Sequence, residues 1–298
     1  MQKFHVGSGT TRGALTVFPV WGEIDVVRDY STAVAAARVA EKATPDVKAL
    51  VVTNTADSPL LLLEGQLLEG GWQNRMVARS VIVAPNDEMT VGVVCVEAGR
   101  WTGQTGHADR RRRAALRVHA SLRASGDQQH EVWKRVSEYE SRYGSNATSS
   151  YTEHADRAAE DITPLIRELR PFPGQVGVVI AISGQPVSAQ LFDSPQTLAE
   201  HYQSIVAAAA MDAVGRPAEA TPSRRVRRFI DRAADTQLRR NGSAGTGVTF
   251  VGNTDDASIS LLRWQDRDVH TSLLNPRHEL VGIAQILNAG PHLCCSTA

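Results

Sequence analysis

The chain has 298 residues, 42% hydrophobic and 21% charged, with 32 basic and 32 acidic side chains. That is ordinary globular composition, long enough for one large domain or two modest ones around a sizeable core. A formal net charge of zero excludes a global field drawing the chain to nucleic acid or to an anionic membrane.

The first third reads mostly as strands. Residues 13–22, GALTVFPVWG, are short, apolar and β-branched, and stop at Gly22. Residues 31–43, STAVAAARVAEKA, are alanine-rich and predict a helix with Ser31 as N-cap. VKALVVTNTA (47–56) and PLLLLEG (59–65) predict buried strands. RMVARSVIVAP (75–85) alternates and stops at Pro85, Asn86-Asp87 reads as a turn, and MTVGVVCVEAG (89–99) is the next strand. Short strands at close spacing predict an antiparallel sheet or sandwich rather than a doubly wound fold.

The middle reads as helical. HADRRRRAALRVHASLRAS (107–125) has Ala and Leu at helical spacing with arginines between. DQQHEVWKRVSEYESRYG (127–144) stops at Gly144, and SSYTEHADRAAEDITPLIREL (149–169) offers a capping box from Ser150 to Glu153. The last third mixes both classes. GQVGVVIAISG and PVSAQLF predict a hairpin around Ser183-Gly184. Residues 194–215 predict a helix capped by Ser194, with Pro195 in its first turn and Gly215 beyond its end. SRRVRRFIDRAADTQLRR (223–240) predicts a basic helix, and three more strands follow in GTGVTFVG, SISLLRWQ and DVHTSLL. The fold class expected is α+β. Its β-rich first part, residues 1–170, carries a helical insert, and its mixed α/β second part is 171–298. RPFPGQ (170–175) marks the boundary, and the two parts pack as one unit.

Cys95, Cys294 and Cys295 are three cysteines, two of them adjacent, which is no disulfide framework and fits a reducing cytosol. The N-terminus lacks the apolar run of a signal peptide, and no stretch approaches the roughly 18–20 apolar residues of a membrane helix. A cytoplasmic protein without a membrane partner is expected.

Two stretches concentrate chemistry. In LLLLEGQLLEGGWQNR, Glu64 ends an apolar strand, Gly70-Gly71 permits a tight excursion, and alternation puts Gln73 and Arg75 on one face of the returning strand. Carboxylate, amide and guanidinium there either hold a polar ligand by paired hydrogen bonds or brace a turn as an internal Glu–Arg pair. In CVEAGRWTGQTGHADRRRR, Cys95 and Glu97 share a strand face, and Arg100 and Trp101 follow as the chain leaves the sheet. The Gly/Thr loop 102–106 before an expected helix near Ala108 is either an anion-binding turn or a flexible connection; it is not a P-loop. Cys95 is open to three readings: nucleophile, metal ligand or packed core residue. No CxxC, HExxH or comparable spacing occurs, so the sequence names no metal and no cofactor. The Arg110–Arg113 run and the basic helix are either docking points for a phosphorylated ligand or nucleic acid, which neutral charge and few aromatics disfavour, or solvated faces. Gln129 and Trp133, four apart on one helix face, are suited to stack on and read a base, or to pack in the core.

The succession NTADSPLLLLEGQLLEGGWQNR, CVEAGRW, QQHEVW, GVVIAISG, FDSP and MDA resembles the ARG and rhodanese-phosphatase-superfamily-associated protein domain, over about residues 13–274. The resemblance implies a cytoplasmic α+β domain, associated by gene context with the metabolism of NAD and ADP-ribose derivatives. It carries no catalytic mechanism. The family's polar positions fall on Glu64, Gln73, Arg75, Cys95, Glu97, Arg100, Trp101, Gln129 and Trp133.

Two functions follow as expectations. One is an enzyme acting on a nucleotide-derived or sugar-phosphate substrate, with Arg75 and Arg100 clamping an anionic group, Glu64 and Glu97 as acid and base, and Cys95 as nucleophile. The other is a non-catalytic sensor that recognises the same small, phosphorylated ligand with Gln73, Arg75, Arg100, Trp101, Gln129 and Trp133. A homo-oligomer is compatible with both. A third, architectural reading treats Glu64–Arg75 and Glu97–Arg100 as buried pairs. A single site requires these groups to face one cleft.

Overall fold

A computed structural model describes residues 4–23, 27–44 and 46–282. Cys294 and Cys295 lie outside the described residues. The architecture is α+β with antiparallel sheets, as expected from the short, closely spaced strands. A nine-stranded sheet runs Phe4–Val6, Leu15–Gly22, Gly177–Ile182, Gln185–Phe192, Arg267–Leu274, Ser258–Trp264, Gly247–Asn253, Arg239–Ala244, with Thr10–Arg12 paired to Leu15–Gly22 off this path. Leu15–Gly22 thus joins the sheet built mostly from residues beyond 175. Six strands close a barrel, in the order Asp87–Cys95, Ala49–Asn54, Ala37–Glu41, Gly106–Ala108, Leu67–Gly70, Arg75–Val77. Leu60–Leu62 and Val81–Val83 form a small separate pair.

The central strand Gly177–Ile182 is apolar throughout because both its faces are covered. Val178, Ile180 and Ile182 join the core shared with the helix Pro195–Ala213 and the barrel. Val179 and Ala181 join a second core under the helix Ser223–Ala234. That helix buries Val226, Phe229, Ile230 and Ala233, a spacing of three and four residues that makes one apolar stripe. Each large side chain so buried contributes roughly 1.5–3 kcal/mol. The arginines of the same helix are left on its outer face.

Five local expectations are corrected. Residues 31–43 are not a helix: a short 3-10 turn, Val34–Ala36, leads into the barrel strand Ala37–Glu41, which pairs on both edges. Cross-strand hydrogen bonds and burial of Val39 and Glu41 outweigh alanine's weak helix preference. The arginine run is not helical either. Gly106–Ala108 is a barrel strand, so the Gly/Thr loop meets no helix N-terminus. The chain after it is held extended as Arg112 O accepts from Leu67 N and Gly65 O accepts from Ala114 N, both at 2.9 Å. The helix is only Leu116–Ala120. The capping box at Ser150 does not form: its hydroxyl meets Thr152 and Asn74, and Glu153 bonds Arg157. Ser194 occupies the N-cap position of its helix without a side-chain cap, and Pro195 and Gly215 stand as expected. The strand Arg239–Ala244, read as the end of the basic helix, completes the large sheet.

Candidate functional site

Three polar clusters stand out, and the first is centred on Glu64. It follows the strand Leu60–Leu62 into the layer between the barrel and the large sheet, where its side chain is fully buried. Gly65, at φ +82°, lets the following backbone turn against His119 and Arg113; a Cβ there would stand 3.1 Å from the His119 ring. Glu64 accepts from His119 Nε2 at 2.8 Å and from Arg123 in a two-bonded pair, Nη1 to Oε2 at 3.0 Å and Nη2 to Oε1 at 2.5 Å. Its backbone carbonyl accepts from Arg113 Nη2 at 2.6 Å, and its N–H donates to Ser80 Oγ at 2.9 Å. Ser80 Oγ lies 2.7 Å from His270 Nδ1, and His270 Nε2 lies 2.9 Å from Gln190 Oε1. A chain of polar groups therefore crosses the core from Glu64 to the large sheet.

Electrostatics order this cluster. Burial pushes the Glu64 carboxyl up, but Arg123 and His119 outweigh it and hold the group well below the usual carboxylate range. Glu64 is an ionised carboxylate, not a proton donor. Burial lowers His119 more than Glu64 raises it, and burial together with the Arg113 charge lowers His270 to about 3. These imidazoles are neutral. In the tautomer that donates from Nε2 to Gln190, His270 accepts the Ser80 hydroxyl proton at Nδ1.

Glu64 also lines a cleft of about 280 Å³, together with Arg79, Arg123, Gln128, Arg239 and Asn241. Its volume is near the lower end for small-molecule sites. Arg79 and Arg239 are exposed and have no carboxylate partner among the described residues. A groove of about 550 Å³ between Arg225, Arg228, Arg232 and Arg277 lies elsewhere and holds none of the polar clusters. Its arginines are partly committed: Arg232 and Arg277 both pair with Asp256, and Arg225 donates to Gly184 O. The smaller cleft is the better candidate, because a buried carboxylate and free guanidiniums meet there.

The second cluster lies at the barrel wall. Arg75, fully buried, donates to Gln73 Oε1 at 2.7 Å, to Cys95 Sγ, and to Glu41 at 3.4 and 3.5 Å. Glu41 also faces His107 Nε2 at 3.1 Å and accepts from Trp72 N. Gly71, at φ +53°, is required here, since a Cβ would overlap the His107 ring. Burial raises the Cys95 thiol to about 11, only partly offset by Arg75, so it is a packed thiol and not a thiolate nucleophile. Gln129 accepts from Cys95 N and donates to Cys95 O, both at 2.8 Å, so its amide completes the strand's hydrogen bonding.

The third cluster adjoins the second across the Gly70–Asn74 turn. Arg100 pairs with Glu97 at 2.8 and 3.0 Å and donates to the Gly70 and Gly71 carbonyls. Glu97 also accepts from Asn74 N at 3.1 Å. Burial raises the Glu97 carboxyl, but the bonds from Arg100, Thr148 and Asn74 outweigh it and leave it below the usual range. Trp101 is 44% exposed, and Trp133 is half-buried.

The structure thus joins Gln73, Arg75, Cys95, Glu97, Arg100 and Gln129 in one hydrogen-bonded region, and puts Glu64 elsewhere. The cleft that Glu64 lines contains none of those six. The Glu64–Arg75 pair is not formed: Arg75 is matched by Glu41, and Glu64 by Arg123 and His119. The Glu97–Arg100 pair is. Sequence reasoning missed Glu41, Ser80, His119, Arg123, Gln190 and His270, and took Arg113 only as one of a run of arginines. The i, i+4 spacing of His119 and Arg123 was a usable signal, since it places both on one side of a helical turn. Partners such as Ser80 and His270, 190 residues apart, leave none. Among the described residues no three His, Cys, Asp or Glu side chains gather as a metal site, and no helix is long and apolar enough to cross a membrane.

No curated protein and no solved structure matches the chain. The model of the ARG and Rhodanese-Phosphatase-superfamily-associated Protein domain matches residues 3–274, nearly the whole length, and the chain belongs to that family.

Proposed function

We propose that this protein binds a small phosphorylated metabolite, nucleotide-derived or built on a sugar phosphate, in the cleft floored by Glu64, and serves as a ligand-binding or sensor protein. The observation that carries this reading is the charge arrangement of the cleft. Its one buried carboxylate is tied off by Arg123 and His119, while Arg79 and Arg239 at the rim remain without carboxylate partners among the described residues. Guanidiniums in that state suit a phosphate, which they bind through paired N–H groups. Gln128 and Asn241 supply neutral donors and acceptors for a ribose or a base edge.

The enzyme reading is kept second because of one observation, the Glu64–His119 contact at the cleft floor. A carboxylate that orients an imidazole is a recurring proton-handling pair. Against it, Glu64 and Glu97 are both ionised and saturated with donors, and Cys95 is a neutral buried thiol.

The test is a thermal-shift screen with NAD, ADP-ribose, sugar phosphates and inorganic phosphate, with each mixture analysed for product. The expected result is stabilisation by a phosphorylated compound without turnover, weakened in Arg239→Ala. Turnover of the stabilising compound moves the conclusion to the enzyme reading. No stabilisation by any compound removes the cleft as a phosphate-ligand site.

A further inference from the structure

Arg113 is a buried charge with no carboxylate bonded to it among the described residues. Its side chain is buried, 6% exposed, between Glu64 and the large sheet. Nη2 donates to the Glu64 carbonyl at 2.6 Å and to Gln190 Oε1 at 3.4 Å, both neutral acceptors. Nη1 is buried and has no hydrogen-bond partner among the described residues. The carboxylate whose charge acts on Arg113 is Glu64, and that carboxylate is already held by Arg123 and His119. Two guanidiniums therefore share one carboxylate, and the cluster keeps a surplus positive charge away from water. Burying an uncompensated charge is costly, and an unmade buried hydrogen bond adds to that.

A second buried side chain, an imidazole, also carries an unpartnered nitrogen. His201, on the helix Pro195–Ala213, is 4% exposed, and its Nε2 has no hydrogen-bond partner among the described residues. The Arg113 charge bears on His201 and on His270, and burial keeps both imidazoles neutral. A water molecule could satisfy Nη1 but would leave the charge. A small anion satisfies both.

We propose that the core holds one small inorganic anion of the chloride class against Arg113 Nη1. The site lies behind Glu64 and does not rest on the reading of the cleft. The ion completes the charge balance of the layer between barrel and sheet, which ties folding stability to the anion in solution.

Two measurements on the full chain test it. Crystals soaked in sodium bromide are expected to show an anomalous peak within hydrogen-bonding distance of Arg113 Nη1. Melting temperature, followed at constant ionic strength while sodium gluconate is replaced by sodium chloride, is expected to rise by about 5 °C once the anion is in large excess. Arg113→Met, which keeps the volume and removes the charge, is expected to melt at the same temperature in both salts. If that variant fails to fold, the bromide peak in the native protein decides. No bromide beside Arg113, or bromide at the surface alone, overturns the proposal. So does a native melting temperature indifferent to the replacement.

Discussion

The Glu64 carboxylate and the Arg123 guanidinium meet through two hydrogen bonds, at 2.5 and 3.0 Å, at the floor of the cleft. Both side chains are largely withdrawn from water, so the pair is weakly screened. Glu64→Gln keeps the shape of the side chain and removes its charge, leaving Arg113 and Arg123 without a counter-ion. The expected loss is about 3–5 kcal/mol in urea unfolding, as for other broken buried pairs.

Arg75→Met should cost a similar amount, about 3–5 kcal/mol, because it strands Glu41 at 1% exposure. The exposed pair of Arg12 and Glu168 provides the contrast. Arg12→Ala should change stability by no more than about 0.5 kcal/mol. Equal effects at the two positions would show that the Arg75 cluster is not a buried ion pair.

Stability should fall below neutral pH earlier than carboxylate titration alone would bring. His201 and His270 are lowered to about 3 by burial and by the Arg113 charge, while in the unfolded chain they titrate near 6.5. Between those values the unfolded state binds protons that the folded state refuses. The stabilising contribution is thus complete above about 6.5 and is lost as pH falls toward 3. Each histidine contributes a slope of up to about 1.4 kcal/mol per pH unit. Urea unfolding at pH 5.5 should give about 3 kcal/mol less stability than at pH 7.5, and His270→Gln should reduce that difference. A flat profile over this range would contradict neutral buried imidazoles.

Cys95 should resist thiol reagents in the folded protein. It is fully buried, and its thiol is raised to about 11. In Cys294→Ser/Cys295→Ser, no thiol should react with a disulfide reagent at pH 8 until denaturant is added. Cys95→Ala should retain ligand-induced stabilisation. Rapid native labelling would restore the nucleophile reading.

Arg79→Ala and Arg239→Ala should each weaken phosphorylated-ligand binding by roughly tenfold, the loss of one charge-assisted contact of about 1.5 kcal/mol. Stability without ligand should stay within about 0.5 kcal/mol, since both side chains are exposed. Isothermal titration with the compound found by thermal shift is the check.

Much of the fold was legible in local pattern. The apolar run at 177–182, the Ser183-Gly184 turn and the stripe of Val226, Phe229, Ile230 and Ala233 each carry their own structural signal, because period and turn chemistry act over a few residues. The α+β class and the family motifs were likewise readable, and so were the polar residues of the Gly70–Asn74 turn and of CVEAGRW. Partnership was not. Whether residues 37–41 become strand or helix depends on the edges of Ala49–Asn54 and Gly106–Ala108, and only the folded chain brings those edges alongside. Glu64 could be recognised as an unusual carboxylate after four leucines, yet its partners come from 55 and 59 residues away. Charge pairing follows distance in space, and the closed barrel decided that Arg75 would meet Glu41 while Glu64, buried away from that cluster, would meet Arg123.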